Sequence, residues 1–497
     1  VLAERTRRIA FPAVFGLLAG LCVVPLWVTR ILPMQDYPQI LVFARAWGDC
    51  HDPASPFSGT YTTGFVLSPL LLPILLLRAL AWPLGFEAAG RIVWTLYAVG
   101  LPLASLGLLS ALGRERWAVL AVFPLVVSSY WVAGGFFGFA TAAPLYVLGL
   151  TCVVRWLDQP TTRRGAELSA VMIALHLWHA LVFAQLMLDF VVLWLLRDRA
   201  RDRRSRVPWP ALPPIAVFAI WFVASIATRP PASHPPVWPP FLDNATHLLE
   251  FVGPSAPVLV ALGLLLSVAT ILGRRDPGPS LSSPIFRVGS PFGLLAAVGV
   301  VAYLVLPSTC FGVEGVGNRQ PWMAALLVVF AWRPPARGIA RPAILAALGL
   351  AGAAMLVQEI RSYAAFGRES AGASRLIDRL GPGETLLAPI PGGASVTRPG
   401  KPFIALEQYA SIRDGSLPNS SFAGYGSSIV RYVDRNPMPG LVGRTWLHAP
   451  DLVRFDYVLV RTSMHAAADA TGRLRLTGVD GDWVLYEVCG SRHRPTC

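Results

Sequence analysis

The feature that most restricts what this chain can become is the succession of apolar runs filling its first 360 residues. A helix that crosses a bilayer needs about 20 consecutive, mostly apolar residues. Twelve segments approach that standard: 9–28, 64–83, 91–112, 117–134, 136–156, 167–179, 180–196, 211–228, 252–272, 291–307, 321–333 and 342–360. The runs dominate the chain, since 54% of all residues are apolar and 14% charged, with a mean hydropathy of +0.54. That composition places residues 1–360 in an all-α, polytopic membrane domain.

The net charge of +14 would suggest a nucleic-acid partner if it lay on one surface. Much of it lies in short loops between apolar runs instead, where arginine marks the cytoplasmic side. The strongest mark is 197–206, with six arginines; Arg163 and Arg164, Arg114 and Arg116, Arg274 and Arg275, and Arg333, Arg337 and Arg341 form further loops of this kind. Arg5, Arg7 and Arg8 precede segment 9–28 and predict an uncleaved first anchor with its N-terminal side inside. Counting forward from residue 1 and backward from 197 disagrees by one crossing. The conflict disappears if one segment between 64 and 112 does not cross, giving about eleven spans. The loop 29–63 and everything after 360 then face outward.

Beyond residue 360 the composition changes. Residues 361–497 carry 28 Asp, Glu, Lys and Arg among 137, against 42 among the 360 before them. This predicts a small extracytoplasmic α/β domain over 361–497, with an amphipathic helix at 368–380 and strands at 384–390, 455–461 and 482–488. The middle, 391–450, is rich in Gly, Pro and Ser and reads mostly as loops. Cys489 and Cys497 are candidates for a disulfide on that side. No zinc-type cysteine spacing and no phosphate-cradling Walker glycine loop occurs, which speaks against a metal finger and an ATP-driven pump.

Candidate chemistry gathers on the outer face. Asp36 follows the first apolar run directly, braced by Pro33 and Pro38, each of which fixes its own φ and restricts its predecessor. Ile40, Phe43, Ala44 and Trp47 then recur at helical spacing, predicting a short interfacial helix. Tyr37, Arg45, Asp49, His51 and Asp52 share this loop, and the turn 134–139, Gly-Gly-Phe-Phe-Gly-Phe, is expected to meet it. The bland reading of Asp36 is a helix N-cap. His176 and His179, His247 and Glu314 are further substrate-binding candidates on the same side, although a satisfied helix-end pair is the plainer reading of the two neighbouring histidines. Arg319 precedes an apolar run on the side where arginine is disfavoured, which suggests an anion such as a lipid phosphate, or else an ion pair with Glu314. Arg45 is a second candidate for the phosphate. Asp189 and Arg78 lie inside apolar runs, and either they pair with one another or Arg78 snorkels inward.

Asp36 with the amphipathic stretch after it, the 135–139 turn, the short paired segments around His176-Leu-Trp-His179 and an outer α/β domain together resemble the GT-C superfamily. These are polytopic glycosyltransferases that use polyprenyl-phosphate or polyprenyl-diphosphate sugars, such as protein O-mannosyltransferases and bacterial aminoarabinose transferases. The resemblance covers most of the chain and implies an acid of the first outer loop as catalytic base, a position onto which Asp36 maps. Many members place a second acid in the next outer loop, often with a divalent metal. The turn 134–140 carries no carboxylate, so no metal ligand is assigned. The segment 405–409, Ala-Leu-Glu-Gln-Tyr, is similar to that of poorly described bacterial members and leaves the acceptor open.

The expected function is transfer of a sugar from a polyprenyl-phosphate donor to an extracytoplasmic hydroxyl on a lipid, glycan or protein, with inversion. Asp36 would serve as base and Arg319 would hold the phosphate, in a bacterial cytoplasmic membrane. Two readings compete: a lipid-linked-sugar flippase or transporter, to which Asp189 and Arg78 lend weight, and a non-catalytic envelope assembly protein.

Overall fold

In a computed structural model, the described residues are 2–64, 67–127, 130–201, 208–227, 237–239, 247, 291–310, 313–332, 340–419, 423, 429–434, 438 and 450–491. They form two units: residues 1–24, 94–132 and 138–359, and residues 25–93, 133–137 and 360–497. Expected segment 252–272 and most of the Pro-rich 229–240 loop lie outside the described residues.

The first unit is helical. Its elements include α1 (Leu2–Val23), most of α4 (Phe86–Ala111), α5 (Phe123–Val127), α6 (Tyr130–Ala133) and α7 (Phe137–Asp158). They continue with α8 (Thr162–Trp178), α9 (Ala180–Arg201), α10 (Leu212–Ala227), α11 (Pro291–Val305), α12 (Gln320–Ala331) and the first half of α13 (Ala340–Ile377). Among the described residues, five helical stretches are long and apolar enough to cross a membrane: Phe86–Ala111, Phe137–Asp158, Ala180–Arg197, Trp209–Ala227 and Pro342–Ile377. The chain is therefore built as an integral membrane protein.

The expected span at 117–134 is corrected. It is broken into a 3₁₀ turn, Arg116–Ala121, followed by α5 and α6. Its apolarity comes from burial in protein: Val119, Val122, Phe123 and Val126 are all inaccessible to solvent. The carbonyls freed by the breaks find side-chain donors, Tyr97 Oη to Val126 O at 2.8 Å and Trp322 Nε1 to Leu125 O at 3.3 Å. Irregular backbone at this depth is tolerated when protein groups satisfy it in this way. A buried segment and a lipid-facing one are equally apolar, so hydropathy could not separate them.

The second unit joins the first loop to the C-terminal chain. It contains α2 (Tyr37–Asp49), α3 (Leu71–Leu84), α14 (Gln408–Asp414) and α15 (His465–Asp469). A four-stranded sheet has the order β4 (Leu386–Leu387), β6 (Tyr457–Arg461), β8 (Trp483–Val488), β7 (Leu474–Asp480). β4 and β6 are parallel, and β6–β8 and β8–β7 are antiparallel. The core behind the sheet is Leu387, Phe455, Val458, Val460, Val484, Tyr486 and Val488. β7 escaped sequence reading because its residues alternate around an exposed edge and are interrupted by Thr477 and Gly478, beside the register shift. The expected helix at 368–380 is no separate element. It continues α13, a single 38-residue helix that runs unbroken through residue 360. Composition changes there but backbone propensity does not.

A second, two-stranded ladder pairs β1 (Tyr61–Thr63) of the first loop with β5 (Val430–Tyr432) of the C-terminal chain, with Tyr61 opposite Tyr432. The expected loop region 391–450 thus contains α14 and β5, the two elements that receive the first loop. Cys489 is disulfide-bonded, while Cys497 lies outside the described residues. Cys22, Cys50 and Cys152 are free.

Candidate functional site

In the second unit the chain approaches Asp36 through a buried stretch in which Ile31 and Leu32 are each 1% exposed and Met34 is inaccessible. Leu32 N–H donates to Tyr409 Oη at 3.3 Å and Met34 N–H to Leu32 O at 2.8 Å. Asp36 N–H then donates to Gly134 O at 3.0 Å, so the expected meeting of this loop with the 134–139 turn occurs. The approach is close enough to require glycine. Gly135 has φ +70, and a Cβ there would sit 2.8 Å from Tyr37 N and 3.0 Å from Asp36 N.

Asp36 occupies the N-cap position of α2, with Pro38 in the first turn, yet its side chain makes no capping hydrogen bond. The carboxylate, half-buried, is not doing the structural task that its position would suggest. Tyr37 is 2% exposed and stacks on Phe137 at 6.1 Å. Its hydroxyl reaches α4 only because residue 90 is glycine, where a Cβ would come within 2.0 Å of the Tyr37 oxygen.

Arg45 faces α14. Its Nη1 donates to Ile412 O at 2.7 Å and Ser411 O at 3.2 Å, and its Nε lies 3.3 Å from Asp49 Oδ2. A cation on the last carbonyls of a helix is favourable for the helix dipole, so Arg45 ties the first loop to the C-terminal chain. Asp49 also pairs with Arg78 at 2.7 Å, whereas Asp189 in the first unit accepts from Gln185 Nε2 at 2.8 Å and from Tyr146 Oη. Arg413 bonds Glu87 at 2.6 Å and Asp378 at 2.8 Å, and Asp378 also pairs with Arg30. Glu407, just ahead of α14, is 3% exposed, and burial pushes its carboxyl up to about 8. His51 and Asp52 are exposed.

The first unit holds the other candidates. Arg319 is 6% exposed and stands at the N-cap of α12. Its guanidinium lies 5.7 Å from the ring centre of Trp131 and 5.5 Å from that of Phe139. These rings meet edge to face at 5.4 Å, and Phe139 also meets Trp322 at 5.8 Å and His179 at 5.7 Å. Gly315, at φ +70, turns the chain beside Trp131. Aromatic faces at these distances attract a cation by about 0.5–2 kcal/mol.

The two neighbouring histidines are separated by their surroundings. His176 is inaccessible and meets Phe183, Phe218 and Trp221 at 5.5, 5.7 and 5.5 Å, an aromatic core position. His179 is half-buried beside Phe139. Among the described residues, no three His, Cys, Asp or Glu side chains gather as a metal site. Glu314 lies on β3 (Val313–Glu314), paired with β2 (Thr309–Cys310), but its side chain is outside the described set. His247 is exposed, and Asp243 is outside the described residues. Sequence reading missed Trp131, because a tryptophan in a membrane chain is ordinarily read as packing or interfacial anchorage.

No family model matches the sequence, and no curated protein matches it. Solved structures do. The chain superposes on ArnT from Cupriavidus metallidurans in the apo state with a TM-score of 0.58 and 13% identity, covering 97% of this chain and 98% of that one. It superposes on the same protein bound to undecaprenyl phosphate with a TM-score of 0.55 and 13% identity, covering 96% and 98%. The fold is thus that of these structures, helical with a small C-terminal α/β region, as expected from the sequence.

Proposed function

We propose that this protein is a membrane glycosyltransferase of the GT-C kind, which takes a sugar from a polyprenyl-phosphate donor and passes it to a hydroxyl outside the cytoplasm. The observation that carries this reading is the correspondence of almost the entire chain to a fold whose solved example holds undecaprenyl phosphate. The placement of Asp36 adds to it: a proline-braced, half-buried carboxylate, fixed through its own N–H.

A sugar joined to a lipid phosphate already has a good leaving group, because a phosphate monoester has a second pKa near 6. What the reaction lacks is a base. Asp36 accepts the acceptor's hydroxyl proton as that oxygen bonds to the anomeric carbon from the face opposite the phosphate. The bond from that carbon to the phosphate oxygen breaks, its electron pair stays on the phosphate, and configuration inverts. Arg319 binds the phosphate and stabilises its growing charge. Arg45 holds α2 against α14 and keeps Asp36 in register. The residues of the 134–140 turn do not supply the second acid of metal-using relatives, and no step is routed through a metal.

The competing reading is a lipid-linked-sugar flippase or transporter. The test compares purified wild type with Asp36→Asn, using a synthetic polyprenyl-phosphate sugar. Removing a general base costs about 10²- to 10⁴-fold, or about 3–5 kcal/mol of barrier. Transfer by Asp36→Asn should fall by that amount while donor binding stays. Wild-type transfer by the variant would overturn the role of Asp36, and movement of the donor without cleavage would favour the transporter.

A further inference from the structure

Between α8 and α9 the chain leaves helical geometry at a single residue. His179 has φ −162 and ψ 113, yet its N–H still donates to Leu175 O at 2.7 Å and its carbonyl accepts from Phe183 N–H at 3.1 Å. It therefore ends one helix and begins the next. The imidazole does the work of an N-cap, with Val182 N–H donating to Nδ1 at 3.4 Å. Serine, threonine, aspartate or asparagine would be the ordinary choice for that task, with a shorter side chain and no ring.

The choice of histidine fixes a tautomer. An Nδ1 that accepts carries no proton, so the ring hydrogen of the neutral form is on Nε2. Nε2 makes no hydrogen bond to any described residue, and His179 is half-buried. The same Phe139 ring lies 5.7 Å from the His179 ring and 5.5 Å from the Arg319 guanidinium, and Arg319 is the charged neighbour of His179. Two N–H donors, one cationic and one neutral, thus flank one phenyl ring near the start of α12.

We propose that the neutral Nε2–H of His179 is a second donor to the anionic headgroup bound by Arg319, the ligand being the phosphate of a long-chain isoprenoid lipid. This rests on the reading above and deepens it. A guanidinium fork engages two phosphate oxygens, and a neutral imidazole can engage a third without placing a second cation against the first. His179 is then a positioning residue for the donor lipid.

Asparagine and glutamine separate the two tasks of the ring. His179→Asn keeps an acceptor near the Nδ1 position and hence the cap, but has nothing at the Nε2 position. His179→Gln places an amide nitrogen there and caps poorly. The measurement is the Kd of undecaprenyl phosphate for the purified full chain in detergent, with undecaprenol and inorganic phosphate as controls and Tm as the readout of folding. His179→Asn should weaken lipid-phosphate binding about 10- to 100-fold, the range for a lost hydrogen bond to a charged group, with Tm unchanged. His179→Gln should retain affinity within about threefold of wild type despite a lower Tm. Wild-type affinity in His179→Asn would overturn the inference and leave His179 as a cap, with the glycosyltransferase reading untouched. Undecaprenol binding as tightly as undecaprenyl phosphate would overturn both. Inorganic phosphate binding as tightly as the lipid would replace the lipid with a free anion.

Discussion

Glu407 is a carboxyl that the fold holds mostly protonated at neutral pH. It is 3% exposed and pushed by burial up to about 8, against about 4.3 for an exposed glutamate. Between those values the folded chain binds a proton that the unfolded chain has released, so stability falls as pH rises. The contribution is fully present below about pH 4.3 and is lost as pH passes through about 8, at up to about 1.4 kcal/mol per pH unit. The wild-type Tm should decline from pH 5 to 8, and Glu407→Gln, which cannot ionise, should decline less; parallel profiles would show that another group sets the slope. The sequence could quote Glu407 only as part of a family-like segment, because nothing local reveals that residues 405–412 are buried. Arg319 was easier to single out, being an arginine directly ahead of an apolar run on the side expected to disfavour it. Its ring partners Trp131 and Phe139 lie almost two hundred positions earlier, beyond the reach of any local pattern.

At the scale of elements, helical spacing was legible where one face is buried. The predicted short helix after Asp36 is α2, with Ile40, Phe43 and Ala44 at 5%, 1% and 0% exposure. Pattern failed where both alternatives are apolar, as at 117–134, and where a change of composition fell inside one helix, as in α13. The meeting of two elements at Gly135 yields a sharper expectation. A Cβ at that residue would press on the backbone nitrogens of Tyr37 and Asp36, neither of which can rotate away as a side chain would, and φ +70 adds roughly 1–2 kcal/mol for any L side chain. Gly135→Ala should therefore displace the Asp36 N–H from Gly134 O and lower transfer by about tenfold or more, since small misplacements of a catalytic group can cost that much. Donor Kd should change far less. The comparison of transfer rate with donor Kd in one preparation checks this, and wild-type transfer would mean that the loop does not depend on the turn.

At the scale of the whole molecule, contacts within the second unit place the first loop and the C-terminal chain on one side. Arg45 bonds Ser411 O and Ile412 O, and Thr62 pairs with Arg431 across β1 and β5. No such bonds form through a bilayer, so the first loop and the C-terminal chain must emerge on the same side. The 14 residues of α3 reach about 21 Å at 1.5 Å per residue, short of the roughly 30 Å hydrocarbon core. This helix also carries Arg78 paired with Asp49 of α2, and Trp82 is 93% exposed beside its C-terminal end, an interfacial arrangement. The arginine-rich loop 197–206 carries the expectation that the shared side is extracytoplasmic. A reporter active only in the cytoplasm should therefore be silent when inserted in the exposed 51–55 stretch and equally silent when fused after residue 497, while an insertion near residue 203 should be active. Opposite signals from the first two sites would contradict the hydrogen bonds between Arg45 and α14, and activity at both would reverse the orientation and remove the extracytoplasmic acceptor from the proposed reaction.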